Sequence, residues 1–226
     1  MIAVMRDMFA RVAPSGARNG EGFPNSGRLA GGVLSSGHAT DPCDALETRL
    51  RAVLFLLVGL PGAGKTTKAR QLESEFQALR FTPDEWMIPL FGESDAGGKR
   101  DVLEGRLISV ALRALQLGTS VVLDFGFWGR DERSALRAMA STLRVGSKVV
   151  YLPIDQQTQL ERINRRYELT PEHTFEITPR DLATFEEQFE VPDASELDGS
   201  RLDPPPAGWP TWSSWAAGRW PALPIL

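Results

Sequence analysis

One cysteine, Cys43, and two histidines, His38 and His173, are all that this 226-residue sequence offers of the residues that most often staple a chain or hold zinc. A lone thiol cannot close an intramolecular disulfide, and so few ligands give no spacing suited to a zinc cage, so a reducing compartment is expected. Long apolar runs are missing too. The opening Met1 to Met5 stretch is broken by Arg6 and Asp7, too early for the apolar region of a signal peptide, and no segment approaches a membrane span. An excess of positive charge is also absent. Lysine and arginine number 25 against 29 aspartates and glutamates, a formal charge of -4, which argues against a nucleic-acid backbone as main partner. The expectation is a cytoplasmic protein that engages neither nucleic acid nor membrane, with its oligomeric state left open.

What is present fits one globular domain with extensions: 42% of residues are hydrophobic and 24% charged, enough apolar material for a core. Residues 1–48 form an expected weakly structured arm, rich in Gly, Ser, Ala and Arg, as in "APSGARNGEGFPNSGRLAGGVLSSG". From residue 49 short apolar runs alternate with helix-length amphipathic stretches, the pattern of a parallel α/β sheet. Ala52 to Val58, Leu79 to Thr82, Val121 to Asp124 and Lys148 to Pro153 are the predicted strands. Leu103, Leu107, Ala111 and Leu115 line one predicted helix face, and Leu136, Met139 and Leu143 another. A last domain helix starts near Thr178 and carries Leu182, Phe185 and Phe189. The domain is expected to end at residue 199. Residues 200–226 hold six prolines and four of the six tryptophans, Trp209, Trp212, Trp215 and Trp220; packing on the domain is expected, with a partner strip or a substrate wall as alternatives.

The most specific motif is "GLPGAGKTT", which sets Gly59, Gly64, Lys65 and Thr66 in the GxxxxGK[ST] pattern after an apolar strand and before a helix. Gly59, Gly62 and Gly64 let the backbone wrap closely enough for its N–H groups to face phosphates, and the helix adds its positive end. Lys65 is expected to reach the β and γ oxygens, and Thr66 to give Mg²⁺ a neutral oxygen. Gly59, Pro61, Gly62, Ala63, Gly64, Lys65, Thr66 and Thr67 form the predicted ATP-binding set, with Arg166 joining from the lid.

A phosphoryl acceptor needs a carboxylate to orient its hydroxyl and take its proton. Asp84 follows the second predicted strand and Asp124 closes the third, so both fall at the carboxyl edge of the sheet. Asp84 is assigned as base and Asp124, with Thr66, as Mg²⁺ ligand; the reverse stays open, as do simple capping of a helix by Asp84 and fixing of a turn by Asp124. "LERINRR" places Arg162, Arg165 and Arg166 on one short helix, where at least two can face inward to offset phosphoryl charge. Residues 165–178 are the expected lid.

"LVGLPGAGKTTKARQLE", "TPDEW", "VVLDFGFWGRDERSALR", "LERINRR" and "FEITPRDLATFEEQFEVP", in this order, resemble the AAA-type ATP-binding kinases related to chloramphenicol phosphotransferase and zeta-toxin kinases. The resemblance covers about residues 50 to 195. It implies a P-loop NTPase core of three αβα layers, with a mostly parallel sheet of four to five strands and a helical lid. It also implies a base matching Asp84 and lid arginines matching Arg162 and Arg165. An ATP- and Mg²⁺-dependent transfer to a hydroxyl of a small molecule is therefore expected. Residues 151–200 hold twelve acids against four arginines, which suggests a cationic acceptor such as an aminoglycoside, or only a solvated acidic surface. A nucleotide-sugar or nucleoside kinase, and an ATP-driven switch with a protein partner, are the alternatives.

Overall fold

The computed structural model describes residues 52–93, 96–169 and 177–224. The N-terminal arm expected over residues 1–48, and the lid stretch around His173, lie outside them. Four strands, β1 (Val53–Val58), β2 (Leu79–Phe81), β3 (Val121–Gly126) and β4 (Gly146–Tyr151), form one sheet in the order β2-β3-β1-β4, and every pair is parallel. Eight helices accompany them among the described residues: α1 (Lys65–Phe76), α2 (Pro83–Phe91), α3 (Lys99–Gln116), α4 (Arg130–Thr142), α5 (Gln156–Leu169), α6 (Pro179–Gln188), α7 (Ala194–Asp198) and α8 (Trp212–Arg219). No described helix is long and apolar enough to cross a membrane.

Strand β1 shows why the sheet is covered on both faces. Its side chains alternate, and both sets are apolar and buried. Phe55 and Leu57 meet Ala69 and Leu72 of α1 on one face. Leu54, Leu56 and Val58 join the larger core on the other, with Leu107, Ile108 and Leu115 of α3 and Leu136 and Met139 of α4. Trp212, Trp215 and Trp220, with Leu223, belong to that same larger cluster. The Pro/Trp-rich stretch therefore packs as part of the main core, with Trp212 and Trp220 each edge-on to Trp215.

Connectivity fixes where a ligand can bind. From β1 the chain crosses over β3 to the edge strand β2, whereas from β3 it crosses in the other direction over β1 to β4. The two connections diverge between neighbours, so a crevice opens beyond the carboxyl ends of β1 and β3. The strands differ from expectation only at their ends, β3 running two residues past Asp124 to Gly126. Leu143 and Phe189 are C-cap residues, just beyond their helices.

Candidate active site

The loop between β1 and α1 is built by backbone that few side chains tolerate. At Gly59 a β-carbon would stand 2.8 Å from the carbonyl oxygen of Leu152, so the loop could not leave β1 along this path with any larger residue. Gly64 is the N-cap of α1 with φ 89, and no side chain caps the helix there. The first-turn N–H groups therefore keep the bare positive end that anions favour.

Lys65 opens α1. Its Nζ donates to the carbonyl oxygen of Leu60 at 3.1 Å, and its Cε lies 3.7 Å from where a β-carbon on Gly126 would stand. Burial lowers the pKa of this amine, opposed by Asp124 and Asp84 and reinforced by Arg166 and Arg100. These five residues come from α1, β3, α2, α5 and α3, and they meet in the crevice that the topology opens.

The two carboxylates differ in environment. Asp124 is buried, and desolvation raises its pKa although the Thr66 hydroxyl hydrogen-bonds to it and Lys65 lies nearby. Thr82 Oγ1 stands 3.5 Å from its Oδ2. Asp84 sits in the first turn of α2, after the N-cap Thr82, with its side chain 71% exposed and 2.8 Å from Arg100 Nη1. Partial desolvation would raise its pKa, but Arg100, then Lys65 and Arg166, hold it below the ordinary carboxylate value. One acid is thus sheltered beside the loop hydroxyl and the other stays ionised and open to a reactant.

Helix α5 lies on the loop. Gln159 Nε2 donates to the carbonyl of Pro61 at 3.0 Å and Arg162 Nη1 to that of Gly62 at 3.1 Å. Because a peptide is planar, a carbonyl held outward turns the following N–H to the opposite side. These bonds therefore turn the N–H of Gly62 away from α5, while that of Ala63 donates to the carbonyl of Leu60 at 3.2 Å. The covering segment begins at Gln156, nine residues before the expected lid start. Below it, Leu60 and Leu160 pack against Ile163, Trp128, Leu182 and Phe185, which ties the loop, α5, α6 and the turn after β3 together.

Most of the expected site residues converge. Lys65, Asp84, Asp124 and Arg166 interact electrostatically, the Thr66 hydroxyl hydrogen-bonds to Asp124, and Gly59, Pro61, Gly62, Ala63 and Gly64 make the loop. Arg162 is on the loop, bonded to a carbonyl. Thr67 follows in the first turn of α1, exposed, and Arg165 is exposed on α5. Sequence reasoning missed Arg100, Glu104 and Gln159. A signal for the first two existed: they form a four-residue opposite-charge pair, and Glu104 adjoins the apolar stripe of α3. For Gln159 no sequence signal is evident.

A triphosphate with Mg²⁺ fits this donor set. No group of three or more His, Cys, Asp or Glu among the described residues could hold a metal. A hydroxyl beside a carboxylate, Thr66 and Asp124, instead offers the few hard oxygens that Mg²⁺ takes when waters and phosphate oxygens complete its shell.

This fold and this loop define a P-loop nucleotide-binding protein. The chain belongs to the AAA domain family, whose model matches residues 54–192. Among solved structures, it is similar to Kti12 of Chaetomium thermophilum in complex with ADP-AlF3, at 22% identity and a TM-score of 0.50, over 62% of this chain and 81% of that one. A candidate kinase from Chloroflexus aurantiacus is 18% identical over 71% of this chain and 86% of that one, with a TM-score of 0.49. No curated protein matches the chain. The family match reaches the level of the AAA domain and does not single out the chloramphenicol phosphotransferase and zeta-toxin group.

Proposed function

We propose that this protein transfers the γ-phosphoryl group of Mg-ATP to a hydroxyl of a small molecule. The observation that carries the reading is the meeting of Lys65, Asp84 and Asp124 in one crevice. Mg-ATP, when bound, supplies the electrophilic phosphorus. The chain's own part is to hold, orient and remove a proton. Loop N–H groups and Lys65 hold the phosphates, and Thr66 and Asp124 are the residues that would ligand Mg²⁺. Asp84, ionised and exposed, accepts a hydrogen bond from the acceptor hydroxyl and takes its proton late, as the new O–P bond forms and ADP leaves with the electrons of the broken bond. A carboxylate held below its ordinary pKa is a weak base, but a loose phosphoryl-transfer transition state asks mainly for alignment. Exposure favours Asp84 over the buried Asp124 in this role. Arg166 adds positive charge where the phosphoryl group passes, and Arg162 supports the loop.

An aminoglycoside acceptor, and with it an antibiotic-inactivating role, rests on the resemblance to an antibiotic kinase together with the acidic stretch. There Asp155, Asp181, Asp193, Glu196 and Asp198 are engaged in caps, turns and ion pairs, which weakens the argument for a field directed at a substrate. Incubation with Mg-ATP and a panel of sugars, nucleosides, amino alcohols and aminoglycosides, read by mass spectrometry, should yield one product heavier by a phosphate. A panel without phosphorylated product, with ATP nonetheless hydrolysed and faster when a protein partner is added, would favour the second reading, an ATPase switch. That reading draws on the openness of Asp84 to water and on the similar structure being a complex with ADP-AlF3.

A further inference from the structure

The stretch after residue 199 carries no residue of the site described above, yet a continuous line of polar contacts runs from it to Asp84. Trp220, fully buried, donates its indole N–H to Glu104 Oε2 at 3.2 Å. The other oxygen of Glu104 accepts from Arg100 Nε at 3.0 Å, and Nη1 of the same guanidinium lies 2.8 Å from Asp84 Oδ1. Arg219, stacked 5.4 Å over the Trp220 ring, anchors the near end of this line. It pairs with Asp101 at 2.8 Å and with Glu132 at 2.9 Å. The close seat of Trp220 is set by Gly105, where a β-carbon would stand 3.2 Å from the Trp220 Cβ.

We infer that Arg100 and Glu104 position the catalytic Asp84, and that Trp220 of the C-terminal stretch fixes their arrangement. The role given to Asp84 rests on the phosphotransferase reading, whereas the positioning itself is a property of the folded chain.

Physical chemistry makes the line directional. Arg100 is a planar fork whose Nε and Nη1 address two carboxylates in fixed relation, so the position of Glu104 dictates that of the guanidinium. Glu104 is buried, and a buried carboxylate needs every available donor to remain charged. Arg100 and the Trp220 indole are its hydrogen-bond partners; Arg219 assists by charge, while Glu132 and Asp101 oppose its ionisation. Removing the indole N–H loosens Glu104, and a loosened Glu104 no longer holds the guanidinium against Asp84. Around Asp84 stand the cations Arg100, Lys65 and Arg166 and the carboxylate of Asp124, so a mobile Arg100 removes the first of three cations while the opposing anion stays.

The experiment follows the Asp84 carboxyl carbon by NMR through a pH titration, which requires no turnover. Trp220→Phe keeps the apolar packing and deletes the donor; Glu104→Gln is the second variant should the first fail to fold. Both should move the Asp84 midpoint upward, toward the ordinary carboxylate value, and Arg100→Gln should move it further. Trp220→Phe added to Arg100→Gln should change nothing more, because the line is already cut. An Asp84 titration in both Trp220→Phe and Glu104→Gln that superimposes on wild type, or effects that simply add, would overturn the inference. Once an acceptor is known, kcat should fall about tenfold in Trp220→Phe with KM for ATP unchanged, and Arg100→Lys should restore only part of the Arg100→Gln loss. If no acceptor or ATP turnover is ever found, the phosphotransferase reading fails while the titration still decides this one.

Discussion

At the residue scale the site is a contest between burial and charge. Lys65 shows it most plainly: burial lowers its pKa, and Asp124 and Asp84 hold the ammonium in place. Lys65→Ala should leave the circular dichroism spectrum unchanged and reduce phosphoryl transfer by about 10²–10³-fold, the typical cost of removing one charge-stabilising donor; a coupled assay of ADP release checks it. Asp84→Asn should act chiefly on kcat, leaving the affinity for Mg-ATP near wild type by calorimetry. The loop residues were legible because phosphate cradling demands glycine, lysine and a hydroxyl at fixed spacing. Asp84 and Asp124 were legible because one follows the second apolar run of the sequence and the other closes the third, although β3 runs on to Gly126 and Asp84 lies in the first turn of α2. Arg100 and Gln159 were not, since their importance comes from what α3 and α5 pack against, and spacing along one helix does not reveal its neighbour.

At the element scale, caps and buried ion pairs decide how α7 is held against α4. Asp193 caps α7, accepting from the Ser195 hydroxyl and the backbone N–H of Glu196 and pairing with Arg130, and its carboxyl is pushed down to about 2. A depressed carboxyl stabilises the fold fully above its unfolded pKa and loses that contribution as pH falls through the folded one. The difference in melting temperature between wild type and Asp193→Asn should therefore persist at pH 5 and vanish between pH 4 and 2 in a thermal series. The neighbouring pair is of another kind. Arg133 is buried, bonded to Glu196 at 2.7 and 3.0 Å and to the carbonyls of Phe127 and Trp128. Arg133→Met leaves the buried Glu196 without its paired guanidinium, keeping the Asp193 N–H and the charge of Arg130, and should cost about 3–5 kcal/mol in urea unfolding. Helices α3 and α4 were readable from apolar spacing, but these long-range pairs were not, because the partners lie 63 residues apart.

At the scale of the whole molecule, the core is completed by a stretch outside the matched family region. Trp212, Trp215, Trp220 and Leu223 pack with α3, α4 and the sheet, whereas the family match ends at residue 192. A chain cut after Gly199 would expose that apolar face, and should be recovered as aggregated or ANS-binding material; a soluble, cooperatively melting product would contradict this. The fold class was legible from alternating apolar runs. Packing of the Pro/Trp-rich stretch on the domain was expected from its tryptophans, but that it joins the core shared with α3 and α4 was not readable, since apolar surface alone does not say which face it covers.

The bond from Arg219 to Asp101 spans 118 residues, and closing so wide an arc brings its reward only once the sheet already exists. The tryptophan segment should then dock after the rate-limiting barrier has been crossed. Its weakened variants would refold at nearly the native speed and come apart faster, so the segment acts as a latch on kinetic persistence.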